Sequence, residues 1–426
     1  MKRFRSIIAS MLLAVCAVVS ATGSPPSVVT LGKQDQPRVR WKDRTIKIAI
    51  SSSLTTPNSN IKTDSDVRGA ITRSLQAWEA VADIKFQIET SDKQNVSPAT
   101  VGDGVSIITI AQTPENILFF GNDTQSVSAQ TRIFHGRRFI TEADIVLNPF
   151  QQFSTDGTFG TFDLQSTLTH EIGHLLGLKH SGVVGSVMSE KLAKVGSLGF
   201  VDMGPRVLAE SDITAARDVY GSENDKEDCC ATVTGKLALP VGKLFKSLRI
   251  WVEDGNTGKV LGQADVTQDG RFRLGGLPPG THKYYWKSRI GTNGSSAGEL
   301  GDLKVETGET AVFNQKITFG PSSLALEFFG VNGQLGESGI SVESGREQMI
   351  YLGGKGLDSR TVEIEFSSRF IHAVSFTKVN QDFGEDVSVI SLYIIVDPQT
   401  PPGVYSVFAR SEDGSRAAVV GALKVN

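Results

Sequence analysis

His170-Glu171-Ile172-Gly173-His174-Leu175-Leu176-Gly177-Leu178-Lys179-His180 holds three of the six histidines in a chain of 426 residues. Histidines four positions apart share one face of a helix, about one turn from each other. At that spacing two imidazoles can reach one tetrahedral zinc at about 2.0–2.1 Å each. Gly177 is the expected helix stop, because glycine accepts the left-handed backbone of a sharp turn. The turn carries His180 back as a third ligand and leaves the fourth position open to water. Glu171, beside a ligand, is placed to take a proton from that water. Two histidines flanking a glutamate also arise by accident. The third histidine beyond a glycine is what makes the pattern specific.

Working outward, Asp163 begins the helix that carries this segment, with Leu164, Leu168, Ile172, Leu175 and Leu176 on or near one face. Upstream, Asp64 can cap a helix running to about Ala82, whose apolar face is Val67, Ile71, Leu75, Trp78 and Val81. Ile46, Ile48 and Ile50 alternate as a strand, as do Ile84, Phe86 and Ile88, and residues 105–111 read as a third. Residues 126–134 and 139–147 form a hairpin around 135–138. A last helix spans residues 210–220 and ends at Gly221. The expected fold is therefore α+β over residues 37–222, a mixed sheet with a few long helices.

The pattern then changes. Residues 223–230 begin with an acidic run and read as a linker. Beyond them come short alternating segments, among them 248–252, 271–274, 361–366, 387–396 and 404–410. They are separated by turn signals such as Asp269-Gly270 and Pro401-Pro402-Gly403. That is the signature of all-β sandwiches, and the length fits two, at residues 231–319 and 321–426.

At the other end, Lys2, Arg3 and Arg5 precede an apolar stretch from 7 to 19 and the small residues Ser20 and Ala21. Residues 1–21 are read as a signal peptide, which points to secretion, with periplasmic or cell-surface association left open, and to a mature chain without a membrane span. Three cysteines exclude a disulfide framework. Cys229 and Cys230 are adjacent, and the reading preferred for them is inert, with a vicinal or interchain disulfide as the alternatives. A net charge of −3 gives no electrostatic footprint for nucleic acid.

The histidine segment resembles the metzincin clan of zinc peptidases and, within it, the matrixins. Ser181 follows the third histidine as in matrixins, and Met188 stands where they place the methionine of the Met-turn beneath the metal. Residues 208–221 (LAESDITAARDVYG), Val39-Arg40-Trp41, Ala77-Trp78 and residues 143–148 resemble other matrixin elements, so the likeness covers about residues 39–221. It implies a secreted zinc-dependent endopeptidase that hydrolyses proteins. One catalytic zinc is held by His170, His174 and His180, Glu171 is the general base, and Met188 supports the site. It also implies that substrate binds along an edge strand, for which residues 126–134 are the candidate.

There are departures. His135 is the one other histidine of this half, so a second, structural zinc is not expected, and His135 is read as a surface residue. Glu190 stands where astacins and serralysins carry tyrosine. No cysteine lies between Cys16 and Cys229, so a cysteine-switch segment is not expected either. Calcium sites are not legible. Residues 231–319 resemble carboxypeptidase regulatory-like sandwiches, through Val233-Thr234-Gly235, Asp269-Gly270-Arg271-Phe272 and Leu277-Pro278-Pro279-Gly280. Residues 321–426 resemble an immunoglobulin-like sandwich. Such modules contact substrate, glycans or a cell surface, or act as spacers. The rival reading is a non-enzymatic, zinc-stabilised adhesin or binding protein acting through these modules. The presence of Glu171 favours the enzyme, because a degenerate site is expected to lose its base first.

Overall fold

The computed structural model describes residues 39–121, 127–199, 201–222, 229–240, 247–290, 294–320, 323–381, 383 and 386–426. The signal-peptide expectation and residues 223–228 of the linker lie outside these. The described residues are mostly β with a few helices, and from Ala231 on their regular elements are all strands.

The first half is built on strands β1 (Arg40–Trp41), β2 (Thr45–Ser51), β3 (Lys85–Ser91), β4 (Ile107–Thr109), β5 (Ala129–His135) and β6 (Phe139–Leu147). They form one sheet in the order β1-β6-β4-β2-β3, with β5 added to β6. Every pairing is parallel except β5 with β6, which is antiparallel. Among the described residues β5 has no strand on its other side, so it is an edge. Ile46, Ile48 and Ile50 point to the core as the alternation predicts, whereas Ile88 of β3 is exposed.

Helix α1 (Ser52–Thr55) is one turn. Helix α2 (Val67–Glu79) has its cap two residues later than the one expected at Asp64. Asp66 caps it, its carboxylate accepting from the Gly69 N–H at 2.9 Å, while Asp64 takes φ of 71° outside the helix. Helix α3 (Pro114–Phe120) was not expected, although Thr113 before Pro114 and Glu115 is a readable start signal. After the short strands β7 (Phe153–Ser154) and β8 (Phe162–Asp163) comes helix α4 (Leu164–Leu175), the carrier of the histidines. Asp163 caps it through the Ser166 N–H at 2.7 Å. Every residue of α4 is buried, because α2 and the sheet cover it. Trp78 of α2 donates to the Thr169 carbonyl at 2.9 Å, and Trp41 donates to that of Leu175 at 2.9 Å. Helix α5 (Glu210–Tyr220) closes the half, and its Tyr220 hydroxyl donates to the Leu176 carbonyl at 2.7 Å.

The second half has two sandwiches. The first contains β9 (Ala231–Ala238), β10 (Ser247–Asp254), β11 (Val260–Asp265), β12 (Arg271–Leu277), β13 (Gly280–Ile290), β14 (Gly294–Val305), β15 (Thr310–Val312) and β16 (Gln315–Lys316). Its sheets run β11-β10-β13-β14 and β12-β9-β15, with β16 beside β9. The second contains β17 (Phe328–Val331), β18 (Gln334–Gly336), β19 (Ile340–Val342), β20 (Glu347–Gly354), β21 (Val362–Phe366), β22 (Ile371–Lys378), β23 (Ser388–Val396), β24 (Gly403–Ser411) and β25 (Arg416–Val425). Its sheets run β18-β17-β20-β23-β22 and β19-β25-β24-β21. Between the halves, the sulfurs of Cys229 and Cys230 are bonded across a cis peptide, so the preferred reading of two inert thiols gives way to a vicinal pair.

Each half has its own core, and a further apolar cluster joins them. Val183 and Ala209 from the first half meet Trp251, Val260 and Ala297 of one sandwich and Val404, Ala418 and Val420 of the other. Trp251 is stacked on Tyr285 at 5.1 Å and on Phe408 at 6.2 Å between ring centres. The ion pairs Lys259–Glu210 and Arg273–Asp218 tie α5 to the first sandwich. Buried in this junction, Glu253 accepts from Trp251 Nε1 at 2.8 Å. Burial pushes its carboxyl up to about 7, against the lowering pull of Ser406, Trp251 and Lys283, and Glu299 adds to the rise.

A carboxyl raised in the folded state favours the native form while protonated and loses that contribution as pH climbs through its folded value. Glu253→Gln should therefore gain stability relative to the parent as pH rises from about 4.5 to about 7. Urea unfolding across that range reads it, and parallel curves for the two proteins would contradict it.

Candidate metal centre

Helix α4 turns His170, Glu171 and His174 inward, and the chain then reverses. Gly177 takes φ of 87°, and a Cβ on it would lie 2.3 Å from the Val39 carbonyl oxygen. The Leu178 N–H donates to the Gly173 carbonyl at 3.0 Å, which closes the helix end. His180 follows and reaches back. The imidazole rings of His170, His174 and His180 stand 4.7–5.2 Å apart between centres. One ligand-capable atom from each lies within 4.8 Å of the others, so this trio could hold a metal ion.

The tautomers of two rings follow from their partners. His170 Nδ1 lies 2.7 Å from the Val187 carbonyl and His174 Nδ1 lies 2.9 Å from that of Leu178. Each Nδ1 must therefore carry the proton, which leaves the Nε2 lone pair free. Those two Nε2 atoms face each other at 3.1 Å. Two nitrogens on one tetrahedral zinc would stand roughly 3.3 Å apart, given bonds of about 2.0–2.1 Å. The donor set thus fits zinc. Burial keeps all three rings neutral, the form that ligates. It lowers His170 to about 4, assisted by His180, and lowers His174 well below the usual range. His180 is also lowered, partly opposed by Glu190.

Glu171 is buried beside them, and its carboxylate accepts from the Thr131 hydroxyl of β5 at 2.5 Å. Burial pushes the carboxyl up to about 7, with the Thr131 bond pulling the other way. This links the helix to the edge strand, and Thr131 was not singled out from the sequence because a lone threonine in a strand carries no signal.

Met188 is buried against the middle of α4. A Cβ on Gly173 would lie 2.2 Å from Met188 Sδ and 2.9 Å from Trp78 Cζ2. Glycine between the two histidines is thus the opening through which Met188 approaches. The turn holding Met188 is fixed by Asp212 of α5, whose carboxylate accepts from the N–H groups of Val187 at 2.9 Å, Met188 at 3.1 Å and Ala209 at 2.8 Å. Asp212 lies inside the quoted 208–221 stretch but was not named, since one acid among helical residues looks like a first-turn charge. His135 is exposed, as expected, and takes no part in the cluster.

Residues 40–221 match the model of a peptidase family described as Matrixin. The match supports a matrixin-like domain over that stretch and, with the three histidines, a zinc metalloprotease. Metalloendoproteinase 1 of Glycine max is 26% identical over 193 residues, covering 44% of this chain and 54% of its own length. The chain therefore spans about half the length of that curated relative. Among solved structures, the major pilin subunit of Bacillus cereus covers 46% of this chain and 69% of its own at 12% identity, with a TM-score of 0.18. Domains 4 and 5 of the S-layer protein SbsC cover 41% and 70% at 13% identity, with a TM-score of 0.13. Likenesses of that size carry no argument. Among the described residues no helix is long and apolar enough to cross a membrane.

Gly173→Ala separates two opposed effects. Helix propensity alone favours alanine by about 1 kcal/mol. Overpacking of a filled core costs about 1–3 kcal/mol. Met188 is flexible, but it is buried, and the Trp78 indole is held by its bond to Thr169. The substitution should lower stability by up to about 2 kcal/mol in chemical denaturation of the zinc-free protein, and a gain in stability would show that the core yields.

Proposed function

We propose that the chain is an exported zinc-dependent endopeptidase in which His170, His174 and His180 hold one catalytic zinc and Glu171 is the general base. The observation that carries this reading is the facing pair of Nε2 atoms at 3.1 Å, each ring tied through Nδ1 to a backbone carbonyl, with Glu171 between them on the same helix. When bound, zinc supplies Lewis-acid polarisation of a carbonyl and lowers the pKa of its water towards about 7.

The chain's own residues do the rest. The Glu171 carboxylate takes the proton of the attacking water and passes it to the nitrogen of the departing amine, so that one peptide bond and one water become a carboxyl and an amino group. The Thr131 hydroxyl orients that carboxylate from β5. The unpaired side of β5 is suited to an extended peptide adding as a further strand, which sets the scissile bond beside α4. Met188 and Asp212 keep the floor of the site rigid. A protein or peptide is the substrate class, and residues 1–21 provide the route out of the cell.

The test is hydrolysis of denatured casein or gelatin by the purified chain, with and without 1,10-phenanthroline, beside Glu171→Ala. Losing a general base should cost about 10²–10⁴-fold in kcat while zinc stays bound. Full activity in Glu171→Ala would assign the base elsewhere. An inactive but zinc-loaded parent, on a broad peptide library, would favour the adhesin reading.

A further inference from the structure

The loop between His180 and Met188 is closed at its ends by the Ser181 N–H donating to the Met188 carbonyl at 2.6 Å. Its middle is held from outside the first half. The N–H groups of Val184 and Gly185 donate to the carbonyls of Val420 and Gly421 in β25, both at 2.9 Å. Those carbonyls are available because β25 bulges there. Its register with β24 passes from Tyr405↔Leu423 directly to Val407↔Val419, so Val420, Gly421 and Ala422 stand opposite Ser406 alone. A bulge of this kind takes backbone groups out of the ladder and re-aims them.

The fit around the loop is close on every side. Gly421 takes φ of 69°, and a Cβ on it would lie 2.4 Å from Val183 Cγ1. A Cβ on Gly185 would lie 2.7 Å from the Gly421 oxygen. On the other flank, a Cβ on Gly182 would lie 2.4 Å from Arg249 Nη1 of β10. Val183 itself is fully buried in the cluster with Trp251, Val404 and Val420. The same loop supplies the Val187 carbonyl that fixes the His170 ring and begins one residue after His180. Its position therefore bears on two of the three imidazoles.

We propose that the bulge of β25, through Val420 and Gly421 as positioning residues, holds the His180–Met188 loop in the conformation that brings the third imidazole to the other two. The last sandwich is then part of the scaffold of the metal centre rather than a spacer. This rests on the reading of the three histidines as zinc ligands.

The experiment uses the full chain. Val420→Asp puts a carboxylate into the junction, where Val420 packs apart from the core of its own sandwich. Ile390→Ala, deep in that core, is the control for a general loss of stability. Val420→Thr, nearly isosteric, decides the question if the aspartate variant does not fold. Zinc affinity is read by competition with a chromophoric chelator, and the amides of Val184 and Gly185 by hydrogen exchange. In Val420→Asp the zinc Kd should rise about 10–100-fold, the size of effect that removing an outer support of a metal ligand has. Both amides should exchange fast, Val420→Thr should move the same way by less, and Ile390→Ala should keep the parent's Kd. Parental zinc affinity in both Val420 variants would overturn the proposal, as would equal weakening in Ile390→Ala. A parent chain that binds no zinc would overturn the reading of the histidines, and this proposal with it.

Discussion

The reversal of the chain after α4 is the constraint on which the rest depends. An α-helix can offer two histidines to one ion from a single face, but a third must come from elsewhere. Gly177 supplies it by taking a backbone conformation that other residues reach only with strain, in contact with the Val39 backbone. The bond from Leu178 N–H to the Gly173 carbonyl and the contact of His174 Nδ1 with the Leu178 carbonyl then make the turn and the ligand one unit. If the turn relaxed, His174 would lose its tautomer and His180 its place together.

That unit is costly without a cation. Two buried imidazoles, the half-buried ring of His180 and a buried carboxyl lie side by side, and among the described residues the His180 Nδ1 has no hydrogen-bond partner. Burial of unpaired polar groups of this kind costs about 1–3 kcal/mol each. The surroundings offset this by rigidity. Trp41, Trp78 and Tyr220 each donate to a carbonyl in or just beyond α4, Asp212 binds the turn below it, and Thr131 binds Glu171. Metal binding in such a site is coupled to folding, because the ligands converge only in the native chain. The same logic extends outward to Trp251 and β25, where apolar packing replaces hydrogen bonding as the means of holding the loop.

What the sequence revealed follows from how local its signals are. The histidines, Glu171 and Gly177 sit within eleven consecutive positions, and their spacing alone predicts the helix, its stop and the return of His180. The α5 boundaries were legible because Gly221 follows a periodic run. Asp212, Thr131 and Gly173 were not, since each acts on a partner far away in the chain or through a gap that has no residue type of its own. The junction was half-legible. Ile250-Trp251-Val252 and residues 417–420 (AAVV) are unbroken apolar runs, which fits burial on both faces, but only residues 248–252 were singled out, as an alternating strand, and nothing in either run names the partner that covers it. Asp64 misled as a cap because Asp66, two residues on, reaches the Gly69 N–H instead.

The most direct measurement of the central claim is X-ray absorption at the zinc edge on the purified full chain, with metal content determined on the same sample. The account predicts one tightly held zinc per chain, with three imidazole nitrogens at about 2.0–2.1 Å and one oxygen, and loss of one imidazole from that shell in His180→Ala. A chain that retains no zinc, or a zinc whose shell is unchanged by His180→Ala, would contradict it.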